Sequence, residues 1–309
     1  MEERKPVLEI RHMNISFCQY TKGLRQMELP VIRDLSVTIH EGELVAVVGS
    51  SGSGKSLLAH AVMGILPYNA TLGGEMIYQG EPLTQKRIEK LRGTEIVLVP
   101  QSTSYLDPLM KVGKQICKGS KDENKKKKLN EIFKSYSLDE QVQEQYPFEL
   151  SGGMTRRIMN STAMIESPKL VIADEPTPGM HLKVAKRAME HFRELADMGA
   201  GVLVITHDLE LALETADKVI VFYAGHTVEE ANAADFQSEE TLRHPYTKAL
   251  WRAIPGNGFS YIKGVQPYAK EMPQGCPFAP RCERRTSECE GKIPYRKVRD
   301  GYVRCLYDT

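Results

Sequence analysis

The sequence predicts an α/β protein built on a doubly wound parallel sheet. Short continuous apolar runs recur at Leu44–Val48, Leu170–Ala173, Val202–Thr206 and Val219–Tyr223, as in strands buried on both faces. Helical patterns fall between them, at Lys55–Ile65, Gly153–Ile165, Lys183–Met198 and Leu209–Thr215. That alternation builds βαβ units. The length of 309 residues suits about two domains and a real core.

Leu8–Phe17 and Val31–His40 are rich in strand formers and partly alternate, so they open the chain as strands. From about Met76 to Ile165 runs a long insert expected to be mostly helical and polar. It contains KDENKKKKL at Lys121–Leu129. Lys125–Lys128 there reads first as a solvated face, with an anion-binding patch as the alternative. After about His226, Pro, Gly, Tyr and Cys rise and periodicity fades. Pro255–Thr309 reads as a small loop-rich unit that needs a staple to hold it. No internal repeat is evident.

Lys and Arg total 41 against 40 for Asp and Glu, a formal net charge of +1. No global cationic field is there to gather nucleic acid. No apolar run approaches the ~20 residues of a bilayer span, and Met1–Lys5 begins no secretory signal. The expected location is therefore the cytosol, where the six cysteines stay reduced unless they bind something.

Gly49-Ser50-Ser51-Gly52-Ser53-Gly54-Lys55-Ser56 follows the run Leu44–Val48 directly and opens a helical pattern. This is G-x-x-x-x-G-K-[ST] in the context it requires. Glycines let backbone N–H groups curl around a phosphate, and the helix aims its positive end at the same anion. Lys55 reaches the β- and γ-phosphates, and Ser56 is a ligand for Mg²⁺. A second apolar strand ends in Asp174-Glu175. Asp174 would stand near the Mg²⁺, and Glu175 would orient or deprotonate a water. Alone that pattern is common, and its weight comes from the loop upstream. Ser151-Gly152-Gly153 at a helix start is another anion cradle, or else an ordinary capped helix.

The GSSGSGKS loop, the LSGGM segment (Leu150–Met154) and VIADEP (Val171–Pro176), in that order and spacing, resemble the ATPase subunits of ATP-binding cassette (ABC) transporters. The resemblance covers roughly residues 8–255. It implies a P-loop NTPase of ABC type: a RecA-like core, an antiparallel β subdomain and a helical subdomain at about 88–165, together spanning residues 1–250, with a small Cys-containing extension at 251–309. It implies that Gln101 is the Q-loop glutamine contacting metal and attacking water. His207 becomes the switch histidine on the γ-phosphate. Phe17 becomes the ring that stacks on adenine, with Tyr20 competing. Read without the family, Gln101 is a loop residue and His207 a hydrogen-bonded histidine at a strand end. The family also implies a dimer in which ATP lies between the P-loop of one subunit and the SGG segment of the other. One departure stands out: His181 falls where the family's D-loop has Asp, which puts equal hydrolysis at both composite sites in doubt and suggests a heterodimer.

Cys18 and Cys117 are isolated and read as small hydrophobes. Cys276, Cys282, Cys289 and Cys305 are spaced C-x5-C-x6-C-x15-C. Four thiols in a weakly cored segment suit a metal that substitutes for a core. Surface thiols and disulfides are the poorer readings, and the wide spacing disfavours zinc. HPYTKAL from His244, Ile254-Pro255 and GCPFAPRC from Gly275 resemble the C-terminal extension of the oligopeptide, dipeptide and nickel importer ATPases. That resemblance implies a [4Fe–4S] cluster on the four cysteines and a cargo of peptides or nickel chelates. It implies as partners two transmembrane permease subunits, an extracytoplasmic binding protein and a second, related ATPase, with no nucleic acid, and a peripheral position on the cytoplasmic face of the membrane. The competing class is an ABC ATPase acting on nucleic acid or ribosomes. Near-neutral charge and the tail weigh against it.

Overall fold

The computed structural model describes residues 4–20, 23, 25–50, 52–120 and 122–307. Ser51 and Lys121 lie outside the described residues.

The N-terminal part runs β1 (Pro6–Tyr20), β2 (Gln26–His40), β3 (Leu44–Val48), α1 (Lys55–Val62), β4 (Ala70–Tyr78), β5 (Glu81–Pro82), α2 (Gln85–Leu91) and β6 (Ile96–Val99). Next come α3 (Val112–Ile116), α4 (Glu123–Ser135), α5 (Gly152–Ile165), β7 (Leu170–Asp174), α6 (Leu182–Asp197), β8 (Gly201–Thr206), α7 (Leu209–Leu213) and β9 (Lys218–Tyr223). The chain finishes with β10 (His226–Asn232), α8 (Pro245–Arg252), β11 (Tyr295–Val298) and β12 (Gly301–Arg304).

The central strands lie in the order β9-β3-β8-β7-β6 and all pair in parallel. β3, β7 and β8 are buried at every position, as the apolar runs require. β1, β2, β4 and β5 form an antiparallel wing. A single parallel bridge, His226 to Asp34, joins it to β10. Helices α3 to α6 close over one side of the core. The buried stripe of α6, Ala185, Ala188, Met189, Phe192, Leu195 and Ala196, recurs at helical spacing and faces that core.

The long insert is less helical than the sequence suggests. β4 extends to Tyr78, and β6 lies inside the stretch read as insert. Ile96–Val99 pairs with Leu170–Ala173 as the outer strand of the parallel sheet. Within the insert, only the short α2 precedes β6, and α3 to α5 all follow Gln101. The signal of β6 was present, because Ile96-Val-Leu-Val99 is itself a continuous apolar run.

The C-terminal segment is joined to the sheet. β12 pairs antiparallel with Glu229 and Glu230 of β10 and forms a hairpin with β11. Phe278 is buried among Tyr223, Leu242 and Tyr246 in one apolar cluster. Glu229, fully buried, accepts from the backbone N–H groups of Arg243 and His244 at 2.9 and 2.7 Å. That fixes the entry to α8.

Candidate active site

The nucleotide loop grows from the end of β3. A Cβ at Gly49 would stand 2.1 Å from the Phe222 carbonyl oxygen, so β9 passes too close for any other residue. Gly52 and Gly54 have φ of +77° and +98°, left-handed backbone that glycine adopts without strain. Gly54 is the residue before α1, whose positive end therefore opens onto the loop. Lys55 is buried and donates Nζ to the carbonyls of Gly49 at 2.7 Å and Ser50 at 3.0 Å. Burial pushes its pKa down, while Glu175 and Asp174 oppose that shift.

Those carboxylates end β7, one strand away across β8. Burial raises the Asp174 carboxyl above its ordinary range, against a lowering hydrogen bond from Ser56. Asp174 Oδ1 is buried without a hydrogen-bond partner. A bare buried carboxylate oxygen is costly, and a cation against it would remove the cost. The donor set Asp174, Ser56 and phosphate is oxygen-only, which suits Mg²⁺.

Glu175 has φ of +50°, a conformation that costs a residue with a side chain ~1–3 kcal/mol and clusters at functional sites. Its N–H donates to the Ile205 carbonyl at 2.8 Å, so β8 holds the strained turn. Its Oε2 lies 2.9 Å from His207 Nδ1. The Glu175 side chain is 9% exposed and that of His207 59%, so a buried carboxylate is paired with a histidine that opens to solvent. P-loop, Asp174-Glu175 and His207 thus meet at the C-terminal ends of three adjacent parallel strands, where open α/β sheets place ligands.

Gln101 is exposed, but its backbone is held. Arg156 of α5, 8% exposed, donates Nη2 to the Gln101 carbonyl and Nη1 to that of Pro100 at 3.0 Å. A second tie comes from Asn160, whose Nδ2 donates to the Pro176 carbonyl at 3.2 Å. The helix that begins with Ser151-Gly152-Gly153 therefore grips both the Q-loop and the turn after Glu175. Sequence reasoning missed both ties, since their partners are backbone carbonyls that carry no sequence signal.

Ser151 caps α5, accepting from the Met154 N–H at 3.4 Å. Among the described residues, leaving aside its own helix and chain neighbours, no atom stands within 4 Å of where a Cβ on Gly152 would be, so this turn is open. His181 is exposed and caps α6 without a side-chain hydrogen bond. Phe17 is half-buried against the core beside β2 and β4. Tyr20 is 68% exposed and presents the freer ring.

The profile of the ABC transporter family matches residues 32–178, and that of the oligopeptide/dipeptide transporter C-terminal region matches residues 228–289. The oligopeptide transport ATP-binding protein OppD of Escherichia coli (strain K12) is 32% identical over 96% of this chain and 92% of its own length. The chain belongs to the ABC transporter ATP-binding proteins. The dipeptide transport ATP-binding protein DppD of Bacillus subtilis (strain 168) is likewise 32% identical, over 95% of this chain and 91% of DppD. Among solved structures, the dimeric bacterial ABC transporter cassette MJ0796 superposes with a TM-score of 0.62 at 23% identity, covering 73% of this chain and 98% of that one. The family's cassette architecture is the one described above. Among the described residues no helix is long and apolar enough to cross a membrane.

The four tail cysteines of this ABC protein line one pocket with Phe278, Ile293 and Leu306. Burial pushes the Cys276 thiol up to about 11, backbone N–H groups of Phe278 and Ala279 oppose that, and Cys305 and Cys282 reinforce it. Burial also raises Cys282, with Cys305 and Cys289 adding to the effect. Among the described residues no three His, Cys, Asp or Glu side chains gather tightly enough to hold a single metal ion. Cys18 and Cys117 stand apart, half-buried and buried.

Proposed function

We propose that this chain is the ATP-hydrolysing subunit of an importer for oligopeptides or dipeptides, working on the cytoplasmic face of the membrane against two permease subunits and fed by an extracytoplasmic binding protein. The observation that carries the reaction is the Glu175–His207 pair at 2.9 Å, set beside the P-loop. Glu175 Oε2 takes the proton of the attacking water, and His207 holds the γ-phosphate and orients Glu175. Lys55, released from the Gly49 and Ser50 carbonyls, neutralises charge on the β- and γ-phosphates. Backbone N–H groups of residues 49–56 cradle them, and Phe17 or Tyr20 stacks on adenine. Mg²⁺, when bound, would neutralise phosphate charge, with Ser56, Asp174 and Gln101 to hold it.

Ser151, Gly152 and Gly153 face a nucleotide on a second ATPase subunit. The open cradle at Gly152 supports that reading. His181 in place of the family's Asp supports a related but distinct partner with unequal sites. Residues 1–250 form the nucleotide-binding unit and 251–309 its extension.

We assign a [4Fe–4S] cluster to Cys276, Cys282, Cys289 and Cys305. Four thiols around one buried pocket suit it, as do the N–H groups directed at Cys276. The four thiolates would hold such a cluster, and it would staple the tail. Anaerobically purified protein is expected to be brown and to contain iron and sulfide. Colourless protein without either removes the assignment.

Glu175→Gln tests the hydrolytic reading. Turnover by the assembled transporter should fall ~100-fold or more while MgATP binding persists. Unchanged turnover would overturn the assignment of the base.

A further inference from the structure

The nucleotide loop is fastened from the far end of the chain. Ser50 Oγ donates to Gln266 Oε1. Burial pushes the Tyr246 hydroxyl up to about 12, and Ser50 beside it opposes that shift. The Ser50 carbonyl accepts from Lys55 Nζ at 3.0 Å. One loop residue thus joins the phosphate-seeking lysine to the C-terminal segment.

The segment that leads to Gln266 is held in turn by the side chain of Arg281. Its Nε donates to the Lys263 carbonyl at 2.8 Å and its Nη2 to that of Ile262 at 3.1 Å. Its Nη1 donates to the Tyr223 hydroxyl at 3.1 Å. The guanidinium also lies 5.9 and 5.8 Å from the ring centres of Tyr223 and Phe278. Tyr223 ends β9, which pairs with β3, the strand that delivers the loop. Tyr223, Tyr246 and Phe278 pack together with ring centres 4.4 to 5.4 Å apart. Arg281 therefore sets residues 262 and 263, just ahead of Gln266, against the same strand pair that positions Gly49.

We propose that Gln266 and Arg281 are positioning residues for nucleotide binding. Arg281 fixes residues 262 and 263 just ahead of Gln266, Gln266 fixes Ser50, and the P-loop is thereby ordered before nucleotide arrives. Neither residue needs to touch phosphate. A loop ordered in advance loses less conformational freedom on binding, so affinity rises without any new ligand contact. This inference rests on the reading of the loop as a nucleotide site.

The experiment is calorimetric titration of the full chain with MgADP, which is bound but not hydrolysed. Gln266→Ala and Arg281→Met are each expected to weaken binding by roughly 2- to 10-fold, the worth of one lost hydrogen bond. Since Ser50 and Gln266 act through one bond, the Ser50→Ala/Gln266→Ala double variant should bind no more weakly than the weaker single variant. In the assembled transporter Gln266→Ala should raise KM for ATP with kcat unchanged, as expected when only uniform binding is lost. Gln266→Ala binding MgADP like the unaltered chain, or additive losses in the double variant, would overturn the proposal. Failure of the unaltered chain to bind MgADP would overturn the nucleotide reading beneath it.

Discussion

The chain carries two glycine-rich turns, proposed as anion cradles, of similar design and opposite mechanical character. Both are glycine-rich turns at the head of a helix, α1 in one case and α5 in the other. The P-loop is open at Gly52 but crowded at Gly49 and Gly54, and it is tied down. A side chain at Gly49 would overlap the Phe222 carbonyl, Lys55 bonds two loop carbonyls, and Ser50 is held by Gln266. The SGG turn is bare. Gly152 has open space around it, and Gly153 has only the Gly179 carbonyl, 3.5 Å from a would-be Cβ. On the proposed reading the first holds its anion within the chain, and the second is completed by a partner subunit.

Gly49→Ala and Gly152→Ala test the comparison most severely. Gly49→Ala should cost about 3 kcal/mol of stability by overpacking and remove MgADP binding altogether, read by thermal melting and calorimetry. Gly152→Ala should leave both unchanged and yet lower turnover of the assembled transporter. Equal effects on nucleotide binding would erase the distinction.

Arg156 probes the bridge from the open cradle to the catalytic core. Arg156→Met leaves the Pro100 and Gln101 carbonyls without their charged donor. Denaturant unfolding should show a loss of about 2 kcal/mol, together with reduced turnover at saturating ATP. Retained stability and rate would mean that α5 and the Q-loop move independently.

The smallest effect is a pH dependence shared by both regions. His191, under the helical layer, is pushed down to about 4 and His244, beside the tail, to about 3, each by burial, with a neighbouring Arg adding to it. Each folded value lies below the unfolded value near 6.5, so the unfolded chain binds more protons and stability falls as pH drops below 6.5. Between pH 7 and 5.5 the loss should be about 1 kcal/mol per histidine. Burial pushes His226 down to about 4 as well, so His191→Gln should remove about a third of that slope in urea melts, and an unchanged slope would remove His191 from the account.

Much of this was legible in the residues. Strands buried on both faces announce themselves as apolar runs, and β3, β7, β8 and β9 begin and end within a residue of those runs. The loop at 49–56 and the Asp174-Glu175 end declare their chemistry through residue types at fixed spacing. Other features are written in backbone. Arg156 reads as one more surface cation on a polar helix, because arginine is seldom buried and its partners are carbonyl groups. The strained turn at Glu175 depends on the Ile205 carbonyl of a strand thirty residues on. β6 was visible as a run but sat inside a polar stretch, where it lost out to the helical pattern around it. The tail's four cysteines suggested a shared centre, but their spacing gave no hint that the same segment reaches Ser50.

The clasp at β12 has a consequence for synthesis. Arg304 pairs with Asp34 at 2.8 Å and donates to the Thr227 carbonyl at 3.0 Å, tying the last described strand to one made 270 residues earlier. On the ribosome, β2 and β10 wait for that strand while the P-loop already has its flanking helix. A half-made chain would therefore have its nucleotide loop without Gln266 to fasten it. Synthesis through Gln266 would therefore bring the roughly 2- to 10-fold gain in nucleotide affinity, and a chain still short of it starts with the weaker grip.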